Sequence, residues 1–435
     1  MKLWTFLLGL MLVAPATLTA QTPVSSSLAL PLPPEELALS AIEDMPEVQV
    51  AAAELARAEA DARLRNVGRH ETTLTLIPQR RRIRGEATVN EWEADLSRPI
   101  RWPHKARLDR EIGAAGVEAA QLMLADAHHA GALTLLRLWS NWQRARVVTV
   151  QQRAQVTTWE RDHKAIARRI ELGDAAQRDL ITAEAALAQA RAAVARADSD
   201  AQVAEAFLRS TFPELPLPER VSLGDEPPTL SGDDAYWSER IVQRSHEISA
   251  MDAMARQHET EAERARADRL PDPTVGVRVS DDLGGQERAV GLVVSIPFGV
   301  RQRSALAATA AATAQSAQAE LTILRRDISR DARNSVARAR AAHAIWTSQQ
   351  RALVAAKNSA DKTARAFTLG ESGLTELLAA RRVELDAALA ERNATVDAIE
   401  AVARVRIDAH DLWHEHASSQ HQDEHHGTDA PLPQL

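Results

Sequence analysis

The sequence has 435 residues, a formal net charge of −8 and no cysteine. Aromatic residues make up 3% of it against 45% hydrophobic residues, so the apolar share is mostly small aliphatic side chains that suit close helix packing. The negative charge, without a large basic domain, argues against nucleic acid as the main partner. The missing cysteines exclude disulfides, thiol catalysis and lipidation at an N-terminal cysteine.

Residues 1–20 have the pattern of a secretory signal peptide. Lys2 supplies the positive charge and Leu7–Val13 the apolar core, with cleavage expected after Ala16 or Ala20. No later stretch reaches the roughly 18 consecutive apolar residues of a transmembrane helix. We therefore expect an exported chain that would contact a bilayer through strands.

Residues 21–212 are predicted to form a first repeat, with a helix over 34–68. Alternating residues predict a β-hairpin over 71–97. Residues 104–211 contain no proline, which costs about 3 kcal/mol inside a helix, so they are predicted to form a long helical hairpin. Its return helix, about 175–210, carries a seven-residue repeat with alternate rungs of alanine, as in a close coiled coil.

A Pro-rich linker over 213–229 precedes a second repeat over 230–414. There a helix is predicted near 233–268, a β-hairpin over 273–297 and a long helical hairpin over 301–413. The final residues, 415–435, are predicted to be a His-rich disordered tail.

Two pairs of landmarks indicate that the repeats arose by tandem duplication. Pro99 and Pro297 close the two β-hairpins and are 198 residues apart. Gly173 and Gly370 interrupt the two helical runs and are 197 residues apart.

The strands alternate as expected for a sheet between lipid and water. In the last strand Val290, Leu292, Val294 and Ile296 share one face, whereas the first hairpin has charge on one face and apolar residues on the other. A small soluble sheet packed on helices is the alternative. Four strands cannot close a barrel, which needs about eight, so a membrane-spanning chain must oligomerise.

Three features carry a resemblance to a known family: the duplication, the stretch Asp272–Ala305 and the two Leu-Gly breaks. In these features the chain resembles the TolC-like outer-membrane efflux channels of Gram-negative bacteria, and the resemblance covers nearly its whole mature length. The resemblance implies a mainly α fold with a small β-barrel contribution: three protomers share a 12-stranded barrel in the outer membrane and an α-helical tunnel in the periplasm. It also implies a passive conduit without cofactor, not an enzyme, that docks on a periplasmic adaptor and an inner-membrane transporter.

A periplasmic coiled-coil adaptor or scaffold is the alternative function. Adaptors normally hold one helical hairpin flanked by β domains, so two hairpins argue against it. A periplasmic hydrolase is a third class, but no phosphate-binding loop, Gly-x-Ser-x-Gly or His-Glu-x-x-His motif is present.

The resemblance assigns adaptor docking to the two helix breaks, where glycine permits a tight reversal. Simple helix caps are the alternative, and both can hold. The residues concerned are Leu172, Gly173, Asp174, Leu369, Gly370, Glu371 and Ser372.

Asp179 and Glu376 each lie six residues beyond a break glycine and are candidates for a carboxylate gate in the tunnel. Thr182 and Ala379 occupy the places where the family can carry a second acid, so a solvated helix face is the alternative.

Six histidines near the C-terminus are candidate ligands for Zn²⁺, Cu²⁺ or Ni²⁺, since histidines four apart on a helix can chelate. They favour the heavy-metal cation branch of the family, and the alternative is a solvated low-complexity tail. They are His410, His414, His416, His421, His425 and His426.

Overall fold

The structure, a computed structural model, describes residues 32–68, 70–82, 84–85 and 88–414. The expected signal peptide and the expected tail over 415–435 lie outside these residues. Among the described residues, no helix has an apolar stretch that is long enough to cross a bilayer.

The first repeat holds four helices and two strands, and its long helix α3 extends about 100 Å at 1.5 Å per residue. The chain reverses after α3 and returns as α4, which is half as long. The elements are α1 (Glu35–Glu43), α2 (Pro46–Val67), β1 (Thr73–Arg82), β2 (Thr88–Pro99), α3 (Pro103–Glu171) and α4 (Gln177–Thr211).

The second repeat has the same order of elements. Its long helix has 70 residues against 69 in the first, and both return helices have 35. The elements are α5 (Asp234–Arg244), α6 (His246–Ala267), β3 (Thr274–Asp282), β4 (Glu287–Ser295), α7 (Val300–Leu369) and α8 (Leu374–Asp408).

Each repeat opens with two helices where the sequence predicted one. Pro46 stands in the first turn of α2, where its missing N–H breaks no hydrogen bond, but it cannot continue α1. In the second repeat Ser245 ends α5, and its hydroxyl accepts a hydrogen bond from the backbone N–H of Ile248 in the first turn of α6, at 3.2 Å. The expectation of unbroken helices over 34–68 and 233–268 was therefore wrong.

The four strands form one antiparallel sheet in the order β1-β2-β3-β4. The two repeats meet where β2 pairs with β3, and β1 and β4 are the open edges. Pro78 lies in β1, an edge strand, where a missing N–H is tolerated. The sheet thus joins the repeats, and no other strand of the described residues pairs with its two outer strands.

The return helix α4 packs on α3 through the predicted alanine seam. Most of the side chains buried along it are small, which lets the two helices approach closely; Leu187 and Leu208 are the larger buried ones. The small ones include Ala183, Ala190, Ala197 and Ala201. Larger side chains, among them Trp139, Trp142 and Phe212, fill a core where α1, α3 and the ends of α4 and α8 meet.

Candidate functional site

One face of the sheet is apolar and exposed across all four strands. The pairing register places Leu74 opposite Leu96, Leu96 opposite Val277, and Val277 opposite Leu292. Leu292 is 85% exposed. The alternation in the sequence predicted this face, and no part of the described chain covers it.

The other face of the sheet carries charge. Arg278 on β3 lies 2.9 Å from a carboxylate oxygen of Glu93 and 3.6 Å from one of Asp95, both on β2. Glu91 pairs with Arg81 at 3.1 Å and accepts a hydrogen bond from Gln79 at 3.2 Å. One surface of the sheet is therefore suited to an apolar solvent and the other to water.

A buried lysine anchors the sheet to the helices beneath it. Lys105, 1% exposed in the first turn of α3, donates to the carbonyl oxygen of Leu270 at 2.7 Å. Its ammonium also lies 2.9 Å from a carboxylate oxygen of Asp268 and 2.9 Å from one of Asp272. Its three protons thus have three acceptors.

A second set of charges surrounds this lysine. Asp109 on α3 accepts from Arg101 at 3.0 Å and from Arg264 on α6 at 2.8 Å. Burial alone would raise the pKa of Asp268, but hydrogen bonds from Arg264 and Lys105 outweigh burial and hold the pKa below its ordinary value. We call this set of charges the sheet joint. Its members are Arg101, Lys105, Asp109, Arg264, Asp268 and Asp272.

The two helix breaks lie at the opposite end of the hairpins and adopt the same C-cap. Gly173 and Gly370 have φ of 81° and 78°, the left-handed region. Asp174 N–H donates to Arg169 C=O at 2.8 Å, and Glu371 N–H donates to Ala366 C=O at 2.9 Å. Each of these two hydrogen bonds is the six-to-one bond of a Schellman motif. The motif places one residue at positive φ, a conformation that glycine adopts without steric cost.

Each break also presents an apolar side chain to solvent. Leu172, directly before Gly173, is 62% exposed, and Leu369, directly before Gly370, is 66% exposed. A β-carbon built on either glycine would have no neighbour within 4 Å. Asp174 and Glu371 are exposed beside these leucines, and Ser372 is half-buried. The predicted docking residues thus form two similar exposed turns.

The two turns are joined by a small apolar cluster and one arginine. Arg169 of α3 donates to the carbonyl oxygen of Phe367 in α7 at 2.9 Å, and its guanidinium lies 4.8 Å from the centre of the Phe367 ring. The buried members of the cluster come from all four long helices: Ile166, Ala183, Phe367, Leu374 and Leu377.

A buried ion pair joins the hairpins further from the turns. Arg381 of α8 lies 3.3 Å from Asp162 of α3 and 3.0 Å from Glu384 in its own helix. The side chains of Arg381 and Asp162 are 11% and 13% exposed. We call this pair, with Arg169, Phe367 and the apolar cluster, the tip joint.

The gate candidates stand in equivalent places but are not in contact. Asp179 lies in the first turn of α4 and Glu376 in the first turn of α8, where a helix dipole favours a carboxylate. Asp179 is half-buried, 3.7 Å from Arg178, and Glu376 is exposed. Within the described residues no hydrogen bond or ion pair joins them.

The expectation that His410 and His414 lie on one helix was wrong. Helix α8 ends at Asp408, and His410 has a positive φ of 55°. The two rings nevertheless lie 4.6 Å apart, centre to centre, and His246 lies beside them. The other candidates, His416, His421, His425 and His426, are outside the described residues.

Sequence reasoning did not single out Lys105, Arg381 or His246. A signal for Lys105 existed, because Arg303 stands 198 residues later, the offset of the two hairpin prolines. Arg303 also reaches this joint, donating to the carbonyl oxygen of Asp268 at 3.3 Å. Arg381 and His246 look like ordinary helix residues, and their partners lie far away in sequence.

No protein-family model and no curated protein sequence matches the chain. Solved structures do. The outer-membrane channel OprN matches with a TM-score of 0.73 and 18% identity over 87% of this chain and 90% of its own. CusC, described for its folding and transmembrane channel formation, matches with 0.73 and 14% over 88% and 97%. VceC, an outer membrane protein of Vibrio cholerae, matches with 0.71 and 16% over 86% and 95%.

Identities this low establish the fold alone. The likeness extends over both repeats, the sheet and the long hairpins, since more than four fifths of each chain is covered. The chain therefore has the fold of the TolC-like outer-membrane efflux channels, which confirms in structure the resemblance drawn from its sequence.

Proposed function

We propose that this protein is the outer-membrane channel subunit of a tripartite efflux system, a passive conduit from the periplasm to the exterior. The observation that carries the proposal is the sheet, which exposes a continuous apolar face and leaves both edge strands unpaired. Open edges are not tolerated in lipid, because unpaired backbone groups there cost several kcal/mol each.

Association of three copies would satisfy these edges. Strand β4 of one protomer would pair with β1 of the next, giving a closed 12-stranded barrel with the apolar face outward and the Arg278–Glu93 face inward. Helices α3, α4, α7 and α8 would continue the wall as a tunnel of about 100 Å in the periplasm.

The two turns at the far end would dock a periplasmic adaptor, which in turn contacts an inner-membrane transporter. Two exposed leucines beside fixed caps, Leu172 and Leu369, support this assignment, since apolar anchors on a rigid turn suit helix-tip contacts. The flanking residues are Gly173, Asp174, Gly370, Glu371 and Ser372. Changing both leucines to aspartate should abolish co-purification of the adaptor and leave channel conductance unchanged.

Asp179 and Glu376 are proposed as the gate carboxylates. In a trimer they would supply six acids near the narrow end of the tunnel, and such a ring concentrates cations and repels anions. Changing both to the matching amides should lower the preference for cations. An unchanged reversal potential under a salt gradient would assign them to the solvated helix face.

Reconstitution tests the channel directly. The purified protein should run as a trimer in detergent and conduct in a planar bilayer. Leu292→Arg should prevent insertion, because an arginine facing lipid costs about 2–4 kcal/mol at the bilayer midplane. Ala289→Arg is the matched control on the opposite face of β4, and it should insert and change the conductance.

A soluble monomer without conductance would contradict the channel and favour the periplasmic scaffold instead. Equal insertion of the Leu292 and Ala289 variants would contradict the assignment of the two faces.

Heavy-metal cations are the substrate class that we propose for this channel. The histidines at the C-terminus, four of them beyond the described residues, support it because imidazole prefers Zn²⁺, Cu²⁺ and Ni²⁺. A strain without the gene should lose tolerance of these metals. Loss of drug tolerance alone would contradict the metal substrate but leave the channel intact.

A further inference from the structure

Three histidines far apart in the sequence meet beside helix α3. His246 is the first residue of α6, and His410 and His414 follow the end of α8. One ring nitrogen from each lies within 4.8 Å of the other two. We call these three residues the histidine cluster.

The rings of the histidine cluster are stacked. The three ring centres form a triangle, in which His410 lies 4.4 Å from His246 and 4.6 Å from His414, and His246 lies 5.6 Å from His414, with interplanar angles of 25°, 23° and 27°. The three residues line a cavity of about 460 Å³ with Ile42, Trp413 and neighbouring side chains. Space for an ion and its remaining ligand therefore exists beside the rings.

The backbone at His410 is strained in a way that places its ring in the cluster. Asp411 N–H donates to Arg406 C=O at 2.7 Å, so His410 takes the left-handed position of a Schellman motif, which glycine normally occupies. A residue with a β-carbon is disfavoured there. Such strain persists only where the surroundings enforce it.

The surroundings of this turn are firmly held. Asp411 accepts from Arg240 Nε at 3.1 Å and from Arg244 at 2.9 Å. Trp413 is buried and donates its indole N–H to the carbonyl oxygen of Pro33 at 3.3 Å. The positions of His410 and His414 are therefore set by contacts outside the cluster.

One imidazole nitrogen of the cluster has no partner among the residues that the structure describes. His246 Nε2 is buried without a hydrogen bond there, which is unfavourable for a polar atom. The nearby His129 differs, because its Nε2 is 3.2 Å from Asp408 Oδ1 and its ring stands 5.5 Å from that of His410.

We propose that His246, His410 and His414 bind one transition-metal dication of the kind that imidazole prefers, such as Zn²⁺, Ni²⁺ or Cu²⁺. Three nitrogen donors without a carboxylate favour these ions over Mg²⁺ or Ca²⁺. Nitrogens bound to Zn²⁺ at about 2.0–2.1 Å are about 3.3 Å apart, so the three nitrogens, which lie within 4.8 Å of one another, would have to approach by up to about 1.5 Å and turn toward the ion.

The bound ion would fasten the start of α6 to the chain beyond α8. This site is independent of what the channel exports, since it lies among residues packed within one protomer. Its fourth position would hold a water molecule.

Cobalt and zinc titrations test the site in the full-length protein. The four histidines beyond residue 414 are first changed to glutamine, which removes their own binding. We expect about one Co²⁺ per chain, with the visible spectrum of nitrogen-ligated cobalt, and a melting temperature that rises with the ZnSO₄ concentration.

His246→Gln and His410→Asn should each weaken Zn²⁺ binding at least about 100-fold. Loss of a residue that only supports a metal ligand can already weaken binding by about that factor, and loss of a ligand should cost no less. Asparagine tolerates positive φ, so His410→Asn keeps the turn. His343→Gln, a half-buried histidine on α7, should bind as the parent does. Absence of stoichiometric cobalt, or equal zinc affinity in His246→Gln and the parent, would overturn the proposal.

Discussion

The sheet joint and the tip joint both connect the helical hairpins through buried cations, yet they differ in how those cations are held. In the sheet joint, Lys105 has three acceptors, and Arg101 and Arg264 share Asp109 beside it. In the tip joint, Arg381 holds α8 to α3 through Asp162 alone, because Glu384 belongs to its own helix. The first joint is a network and the second rests on few contacts.

This difference indicates which end of the molecule can move. A fully satisfied network of hydrogen bonds and ion pairs makes a structure rigid, so we expect the helices beneath the sheet to stay in place. At the tips, separation of the α7–α8 hairpin from the α3–α4 hairpin would break one ion pair, the Arg169 contacts and a cluster of five buried side chains. In the proposed channel, the tunnel would therefore open from its far end.

The largest effect is expected from Lys105→Met in the sheet joint. Loss of the cation leaves Asp268 and Asp272 facing each other in a partly buried place, which should lower the free energy of unfolding by about 3–5 kcal/mol. Denaturant unfolding of the purified protein measures it. Arg107→Met is the control, since its pair with Glu111 is exposed and worth under about 1 kcal/mol. Equal losses for both variants would show that the network adds no stability.

A smaller loss of stability, about 2 kcal/mol, is expected from Arg381→Ala in the tip joint, because a charged hydrogen-bonded pair is removed. Its functional effect should be larger, with a higher mean conductance in planar bilayers as α8 moves away from α3. The neighbouring Arg382→Ala should leave conductance unchanged, since Arg382 and Asp386 are both exposed. A closed channel in the Arg381 variant would rule out movement at this joint.

Next in size are Gly173→Ala and Gly370→Ala, each expected to cost about 1 kcal/mol at the tips. No neighbour lies within 4 Å of the added carbon, so the cost comes only from the positive φ. Amide hydrogen exchange in the last turns of α3 and α7 measures it. Gly373→Ala is the control because φ there is −87°. Similar exchange in all three variants would argue against strained caps.

The smallest effect is the pH dependence of Asp268 in the sheet joint. Its pKa in the folded protein is below the ordinary 3.8, so its contribution is present above that pH and is lost as the pH falls through the folded value. Because Asp268 is half-exposed, we expect under about 1 kcal/mol. The stability difference between wild type and Asp268→Asn should therefore shrink below about pH 3.8. A constant difference would assign the effect to packing.

The sequence predicted the architecture well because its signals are local. Absence of proline marks the long helices, alternation marks the two faces of the sheet, and Leu-Gly pairs mark the turns. The breaks at Pro46 and Ser245 were missed although both residues are known helix starters, since the apolar spacing continues across them. The end of α8 was missed for a different reason: His410, not glycine, occupies the left-handed cap.

The joints could not be predicted, because each depends on residues that meet only in the folded chain. Lys105 and Asp272 are 167 residues apart, and Arg381 and Asp162 are 219 apart. Every one of these side chains looks like surface charge in its own stretch of sequence. The repeat offset that links Lys105 to Arg303 was the one accessible signal, and it identifies a position without naming its partner.

The two open edges of the sheet also constrain how the protein reaches its final state. A lone protomer in water exposes β1, β4 and an apolar face that includes Leu292, and such edges pair readily with any strand they meet. In the proposed trimer, correct pairing with a second copy would compete with that misassociation. The concentration of unassembled protomers, and the time each spends in that form, would then govern the yield of functional protein together with the stability of its fold.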